Sequence, residues 1–424
     1  MKVFKFGGAS VNSVERIQHI APIIRYWEHE KIMVIVSAMG KTTNALEKVV
    51  DAFYSGKKDE ALQFFDQVKK QHLTIAKYLL VTHYLACERQ LKDFFTEVEW
   101  LLHDKPVREY DYYYDQVVCA GELFSTAIIS AFLNEAGIRN KWLDIRDIFR
   151  TDDDFRDATI DWAFTKQKIN DSVIPELDNF NIMLTQGFIG ATDENESTTL
   201  GREGSDYTAA VFANMLDAES LTIWKDVESV MNADPKQFAD AVCIPELNYI
   251  EVIEMAYFGA QVIHPKTIKP LQNKGIPLYV KCFLDPSLPG TVIHDKAVHH
   301  LPPIIVLKAN QVMMQMSSKD FSFVGEQHIG HLYHLFEKLH IKTNLTQNGA
   351  ISFICVLDDK TEKIEKLALE AAVFLDVQIV KDVSLLTIRH YTHEMFEKLT
   401  KGKKILLRQQ TPETIQLLLQ ATLP

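Results

Sequence analysis

Residues 1–10, Met1-Lys-Val-Phe-Lys-Phe-Gly-Gly-Ala-Ser10, decide how the rest of the chain is read. The apolar-rich run Val3 to Phe6 predicts a strand, with Lys5 near its end. Gly7-Gly8 then interrupt it, and paired glycines let a backbone turn sharply and approach a ligand without a Cβ in the way. The pattern from Val11 to Glu30 is helical. A strand, a glycine turn and a helix, with a cation just before the turn, suit a phosphate: backbone N–H groups and a helix N-terminus face the anion, and lysine adds a full charge. The lysine precedes the glycines, so this is not the P-loop order. An ordinary tight turn beside a solvated lysine would look the same, and what separates the two lies further along the chain.

A length of 424 residues predicts two or three domains, and 47% hydrophobic residues suffice for full cores. The formal net charge of -12 argues against non-specific nucleic-acid binding and against a basic membrane-surface role. An anionic ligand must therefore be held by a local cluster of positive groups. The five cysteines are odd in number and widely spaced, with no C-x-x-C, which disfavours a disulfide framework or zinc site and fits a reducing cytoplasm. Cys119, close to Gly121-Glu122, reads as a small buried apolar residue. With a strand beginning by residue 3, no N-terminal signal is expected, and no apolar run reaches the roughly 18 residues of a membrane span.

Met33 to Val36 is a buried-type strand that ends in the small, polar loop Ser37 to Asn44. Ligands of open α/β sheets bind at that edge. Thr42, Thr43 and Asn44 either cap the next helix or bind a substrate. Residues 45–110 read as an inserted, charged helical region. Gly121-Glu122 opens a long apolar helix that Gly137 closes. Glu122 there either complements the helix dipole or takes a substrate ammonium group. Asp152 to Asp154 show no recognisable metal-ligand spacing.

The strand and glycine turns of Asn181 to Gly190 lead to Gly201-Arg-Glu-Gly-Ser-Asp206. Ser205 is expected to cap the helix that follows, with Asp206 in its first turn. Arg202 projects from the glycine loop, where a forked guanidinium suits a carboxylate; a surface arginine beside a capped helix is the plainer reading. Leu221 to Trp224 is a strand that runs into the polar loop Lys225 to Lys236, and His264 before Pro265 reads as structural. Beyond a boundary near 294–302 the order becomes β-α-β-β-α-β over 304–388, the ferredoxin-like unit. From residue 392 a second, incomplete copy follows. It lacks room for a full unit unless the two copies share strands.

Lys5-Phe-Gly-Gly-Ala-Ser10, Ser37 to Asn44, Gly201 to Ala209 and Glu254-Met-Ala-Tyr-Phe-Gly-Ala-Gln-Val-Ile-His-Pro265 together resemble, in order and spacing, the aspartate kinases of the amino-acid kinase family, over nearly the whole chain. The C-terminal region is similar to the ACT domains that follow their catalytic domain. The resemblance implies an α/β, three-layer αβα sandwich over 1–296, with the helical insertion at about 45–110. It implies an α+β, ferredoxin-like ACT region over 303–424, complete at about 304–390 and partial to 424. It also implies ATP- and Mg²⁺-dependent phosphorylation of the side-chain carboxylate of L-aspartate to 4-phospho-L-aspartate, the first step toward lysine, threonine and methionine. No protein metal ligand, nucleic acid or membrane is implied; a cytoplasmic homodimer or higher oligomer is. Lysine or threonine is the expected class of effector, and the residues choose neither.

Carried over residue by residue, Lys5 with Gly7 and Gly8 is the phosphate site, and Asp206 positions that lysine. Arg202 clamps the substrate carboxylate. Thr43, Glu122 and Ser205 are substrate-binding positions, with Glu122 on the amino group. Lys225, Asp226, Met231 and Lys236 bind the nucleotide's base and ribose. The sequence departs from the family at Glu203, for a frequent glycine, at Glu228-Ser229, for Pro-Gly, at Met231, for an aromatic, at Lys236, for arginine, and at Gln261, for a nucleotide-binding lysine. The residues leave open whether these departures weaken ATP affinity; none removes Lys5, Arg202, Asp206 or Glu122, so activity is still expected. A sister kinase acting on glutamate, acetylglutamate, carbamate or UMP, and an amino-acid sensor with a decayed kinase site, are the alternatives.

Overall fold

The computed structural model describes residues 1–421, so positions 422–424 of the expected partial copy lie outside the described residues. In chain order, β1 (Lys2–Phe6), α1 (Val14–Tyr26) and β2 (Ile32–Val36) are followed by the helices α2 (Thr42–Tyr54), α3 (Lys58–Leu79), α4 (Tyr84–His103), α5 (Tyr110–Val118) and α6 (Ala120–Glu135). Next come β3 (Asn140–Trp142), α7 (Trp162–Lys168), β4 (Ile182–Gln186), β5 (Ile189–Ala191), β6 (Ser197–Thr199), α8 (Gly204–Met215) and β7 (Ser220–Lys225). Then follow β8 (Val230–Met231), β9 (Cys243–Ile244), β10 (Glu246–Asn248), α9 (Tyr249–Phe258), α10 (Pro265–Gln272), β11 (Leu278–Cys282) and β12 (Thr291–His294). The chain continues as β13 (Ile304–Ser318), α11 (Glu326–Lys338), β14 (Thr343–Asn348), β15 (Ser352–Asp358), α12 (Thr361–Ala371) and β16 (Leu375–Arg389). It closes with α13 (His393–Thr400), β17 (Lys403–Gln410) and β18 (Thr414–Ala421). These elements form two compact units. The first comprises Met1–Val230, Cys243–Ile253 and Val262–Val298, and the second Met231–Val242, Glu254–Gln261 and the chain from His299.

The first unit is built on an eight-stranded sheet in the order β10-β12-β11-β7-β1-β2-β4-β3. Its pairs are parallel except β11 with β12. β2 (Ile-Met-Val-Ile-Val) is buried at every position, as a central parallel strand covered on both faces must be. Side chains alternate along β1, so Lys5 faces one side of the sheet while Phe4 and Phe6 face the other. Lys5 meets Asp206 of α8. Phe4 meets Trp27, at the end of α1, with ring centroids 6.2 Å apart. Helices α8 and α10 thus lie on one side, tied by the Asn214 amide to the Pro270 carbonyl at 2.8 Å, and α1 lies on the other. This is a three-layer αβα arrangement. The helix expected from Val11 is shorter than its pattern, because Gly8–Val11 forms a 3-10 turn and Ser13 caps α1 by accepting the Arg16 N–H.

The expected helical region is α2 to α4, amphipathic and buried along one stripe each. Tyr110–Glu135 is long and apolar enough to cross a membrane by length and composition, yet 89% of its most apolar window is buried inside the fold, as in a core helix.

The second unit is one six-stranded antiparallel sheet, β14-β15-β13-β16-β18-β17. Residues 304–389 run β-α-β-β-α-β, with α11 and α12 packing Leu332, Leu335, Phe336, Ile364 and Leu367 on Met314, Phe353 and Leu357. β13 and β16 are 15 residues each and stay paired through register shifts near Gln311. The final residues do share strands with the first copy. Val383–Arg389 of β16 pairs with β18, and Ile304–Lys308 of β13 completes that half of the sheet. Leu386, Ile388, Ile415 and Leu417 form a second core, which α13 covers with Met395, Phe396 and Leu399. Ala233, Phe238 and Ala241 join this core from upstream in sequence.

Gly187, just after β4, passes so close to α8 that an added Cβ would stand 2.7 Å from the Ser205 Cβ and 2.8 Å from its Cα. Backbone cannot give way as a flexible side-chain tip can. Gly187→Ala is expected to destabilise the first unit by about 1–3 kcal/mol, read as a fall in denaturant midpoint at unchanged m-value. An unchanged midpoint would show that the sheet and α8 are free to separate.

Candidate active site

The C-terminal ends of β1, β2 and β7 open into a cleft of about 430 Å³. Its walls are the turn after β1 (Gly7 to Ser10), the loop after β2 (Ser37, Ala38, Gly40), Thr43, Glu122, the start of α8 and the Trp224–Asp226 stretch that ends β7. A Cβ on Gly8 would stand 2.8 Å from the Ala38 carbonyl, so only glycine lets these two loops come together. The Gly40 N–H donates to the Gly8 carbonyl at 3.0 Å, and the Ser10 hydroxyl donates to the Trp224 carbonyl at 3.4 Å.

Lys5 Nζ lies 2.5 Å from Asp206 Oδ1, and both side chains are nearly closed to solvent. Burial alone would raise the Asp206 pKa, but the Lys5 and Lys225 ammonium groups outweigh it and hold the carboxyl below its ordinary range. Lys225 Nζ donates to the Val262 carbonyl at 2.6 Å. Opposite in behaviour is Glu122, in the first turn of α6 and 3% exposed. Its Oε1 accepts the Ala38 N–H at 3.2 Å, while its Oε2 is buried with no partner among the described residues. Burial pushes this carboxyl up to about 8, against smaller downward pulls from the Ala38 N–H and Lys5. One cleft therefore holds an ionised acid on a lysine and a second acid that is largely protonated at neutral pH.

The start of α8 differs from the expected cap. The helix opens at Gly204, so Ser205 and Asp206 lie in its first turn, and the N-cap residue is Glu203. Glu203 has φ +55°, in the left-handed region that favours glycine. Its side chain does not cap the helix; its Oε2 accepts the His264 N–H at 3.1 Å. His264 in turn caps α10 by accepting the Lys266 N–H, the structural role expected of it.

Lys5, Gly7, Gly8, Thr43, Glu122, Ser205, Asp206, Lys225 and Asp226 line one cleft. Arg202 does not; it is exposed on the loop before α8. Met231 and Lys236 belong to the second unit, where Met231 ends β8 and the Lys236 N–H bonds Asp234. Ser10, Ala38, Phe188, Glu203 and Trp224 also line the cleft without having been singled out as site residues. Ser10 and Ala38 lie in stretches the sequence marked, and Trp224 ends a strand that was read correctly, so strand-end position was the available signal. Among the described residues no group of three His, Cys, Asp or Glu is placed to hold a metal ion. The cleft offers separate carboxylates, which suits Mg²⁺ carried in on phosphates and not a cage made by the protein.

Residues 1–282 match the profile described as the Amino acid kinase family. The chain belongs to the amino acid kinase family. Among its relatives, Aspartokinase 1, chloroplastic, of Arabidopsis thaliana is 31% identical over 385 residues, covering 84% of this chain and 63% of its own length. Lysine-sensitive aspartokinase 3 of Escherichia coli (strain K12) is 28% identical over 396 residues, covering 91% and 86%. The chain spans less than two thirds of the length of the Arabidopsis aspartokinases it matches. The crystal structure of E. coli aspartokinase III in complex with aspartate and ADP matches it with TM-score 0.82 at 25% identity, over 99% of this chain and 96% of that one. An aspartate kinase of Clostridium acetobutylicum shares the fold at TM-score 0.80 and 21% identity.

The Glu122 shift makes stability depend on pH. Between about 4.5, its ordinary value, and about 8, the folded state keeps a proton that the unfolded state has lost. Folding stability therefore falls as pH rises through that window, by at most about 1.4 kcal/mol per pH unit from this one group. Glu122→Gln is expected to flatten that part of the profile and to raise stability above pH 8, as measured by urea unfolding from pH 5 to 9. Parallel profiles for the two proteins would place the proton elsewhere.

Proposed function

We propose that this kinase transfers the terminal phosphoryl group of ATP to the side-chain carboxylate of L-aspartate, giving 4-phospho-L-aspartate. The observation that carries this is the buried Lys5–Asp206 pair at a glycine turn, sharing one cleft with Glu122. Relatives named aspartokinases, one of them solved with aspartate and ADP, support the choice of substrates. The chemistry fits the residues. The aspartate carboxylate, with a reference pKa of ~3.9, is already ionised and needs no general base. The protein has to align two anions and offset the charge that builds between them.

Lys5 has three N–H donors and spends one on Asp206, leaving the others for phosphate oxygens. Gly7 and Gly8 bring backbone N–H groups close. Asp206 orients the lysine. Glu122 takes the substrate ammonium, and Thr43 and Ser205 other polar atoms of the substrate. Lys225 and Asp226 serve the nucleotide. Mg²⁺ bound with ATP screens the phosphate charges. The first unit is the catalytic domain, without 231–242 and 254–261, and the ACT region from 303 answers to an amino acid such as lysine, the effector class in the name of the E. coli relative. A cytoplasmic homodimer or larger homo-oligomer completes the proposal.

Lys225 held on a backbone carbonyl, and an acid at position 203 of the cleft, favour the sensor as the second reading. Trapping the acyl phosphate with hydroxylamine separates the two. Aspartyl hydroxamate is expected with ATP, Mg²⁺ and L-aspartate, and Lys5→Ala or Asp206→Ala, destabilised but shown to be folded by circular dichroism, should each lower kcat by about 10³-fold or more. Amino-acid binding without product would leave the sensor standing.

Glu122 supplies a second test. An ammonium set against it favours the carboxylate, so L-aspartate binding at pH 7 should expel nearly one proton per site. Calorimetric enthalpies in buffers of different ionisation heat should then differ by about that one proton's worth. Buffer-independent enthalpies would remove Glu122 from the ammonium site.

A further inference from the structure

On the other face of the same sheet lies a cavity of about 730 Å³ that the proposed reaction does not use. Its floor is made of alternate residues from three adjacent strands: Lys2 and Phe4 of β1, Ser220 and Thr222 of β7, Tyr279 and Lys281 of β11. The one-in-two spacing puts these side chains on the face opposite Lys5, away from α8. Ser220 and Thr222 are small, and they leave the depression in the middle. One wall is α1, through His19, Ile23 and Trp27. The size falls within the range of small-molecule sites.

Three features give this cavity a chemistry. Its surfaces are flat and aromatic. Phe4 stands edge-on to Trp27 and to Trp224, with centroids 6.2 and 5.9 Å apart, and both indoles line the space. Two of its lining residues also carry unpartnered nitrogens. Trp224 Nε1 and His19 Nε2 are buried with no hydrogen-bond partner among the described residues, although Trp224 is only 4% exposed. Finally, one ammonium group at the cavity has no ion pair among the described residues. Lys2 is neutralised by Glu30 and Glu219, but Lys281 has no ion pair among the described residues and sits 5.9 Å from the Trp224 ring centroid. The nearby Asp285 carboxylate is turned to the Ser287 N–H and hydroxyl.

We propose that this cavity is a binding site for a small planar aromatic anion. Its ring lies against Phe4, Trp27 and Trp224, and its anionic group is held by Lys281. The site is separate from the catalytic cleft but shares one wall with it, because Trp224 lines both. The Trp224 carbonyl accepts the Ser10 hydroxyl, and the next residue is Lys225, so an occupant that moves the indole acts directly on the cleft.

The probe is 8-anilinonaphthalene-1-sulfonate, titrated into the folded full-length protein and read by its own fluorescence and by energy transfer from tryptophan. One equivalent is expected to bind, and to remain bound at saturating MgATP. Lys281→Glu, a change on a half-buried strand position that leaves the cleft intact, should weaken binding at least tenfold. Tyr279→Ala should weaken it too, with circular dichroism confirming that each variant is folded. Full displacement by MgATP would put the dye in the cleft and overturn the proposal. So would an affinity untouched by Lys281→Glu, or sedimentation showing that a second copy of the chain fills the cavity. None of these readouts needs turnover, so a failure here is distinct from a failure of the aspartate kinase reading.

Discussion

A lysine and an aspartate, closed off from water and 2.5 Å apart, hold the first unit to one arrangement. Lys5 comes from the central strand and Asp206 from the first turn of α8, about two hundred residues later in the chain. Removing water from two charges is expensive, and removing one partner leaves the other stranded, so the pair tolerates little displacement. For the pair to form, β1 must lie beside β7, α8 must start directly above the β1 turn, and Gly187 must let the helix come that near. The same constraint holds a positive charge at the mouth of the sheet in a chain whose net charge is strongly negative.

Glu122 shows the opposite use of burial. It has one backbone donor and no cation in contact, so the low-polarity surroundings favour the proton over the charge. Two acids that would behave alike in water are thus driven apart by what stands beside them. One serves as a fixed counter-ion. The other is open to a cation brought by a ligand.

Much of this was legible in the residues, and the parts that were not have physical causes. β1, its glycine turn, β2 and the loop after it could be read because strand periodicity and paired glycines are local signals. Placing Lys5, Glu122 and Asp206 in one cleft required the family's order of motifs, since nothing local says which distant loops meet. The cap of α8 was misread because Ser205 has the right chemistry for an N-cap but stands two positions too late, while Glu203 adopts a backbone angle that its side chain gives no reason to expect. Arg202 has the right shape for a carboxylate, but on a loop exposure is decided by neighbours and not by residue type. Segment 231–242 belongs with the second unit because Phe238 and Ala241 find their apolar partners there, at a separation along the chain that periodicity does not register.

β16 carries a consequence for how such a chain can change over generations. Its first half closes one core and its second half closes another, along a single uninterrupted run of 15 residues. Two modules joined by a linker can be cut apart, exchanged or lost one at a time. Here the joint is itself a structural member of both, so the C-terminal hairpin cannot be traded as a cassette. Loss of β17 and β18 would bare the backbone edge of Val383–Arg389, a ready template for another chain, where the hairpin now presents Lys403, Lys404 and Arg408 at the sheet's rim. Insertions are tolerated best in the loops; the length of this strand is fixed by two cores at once.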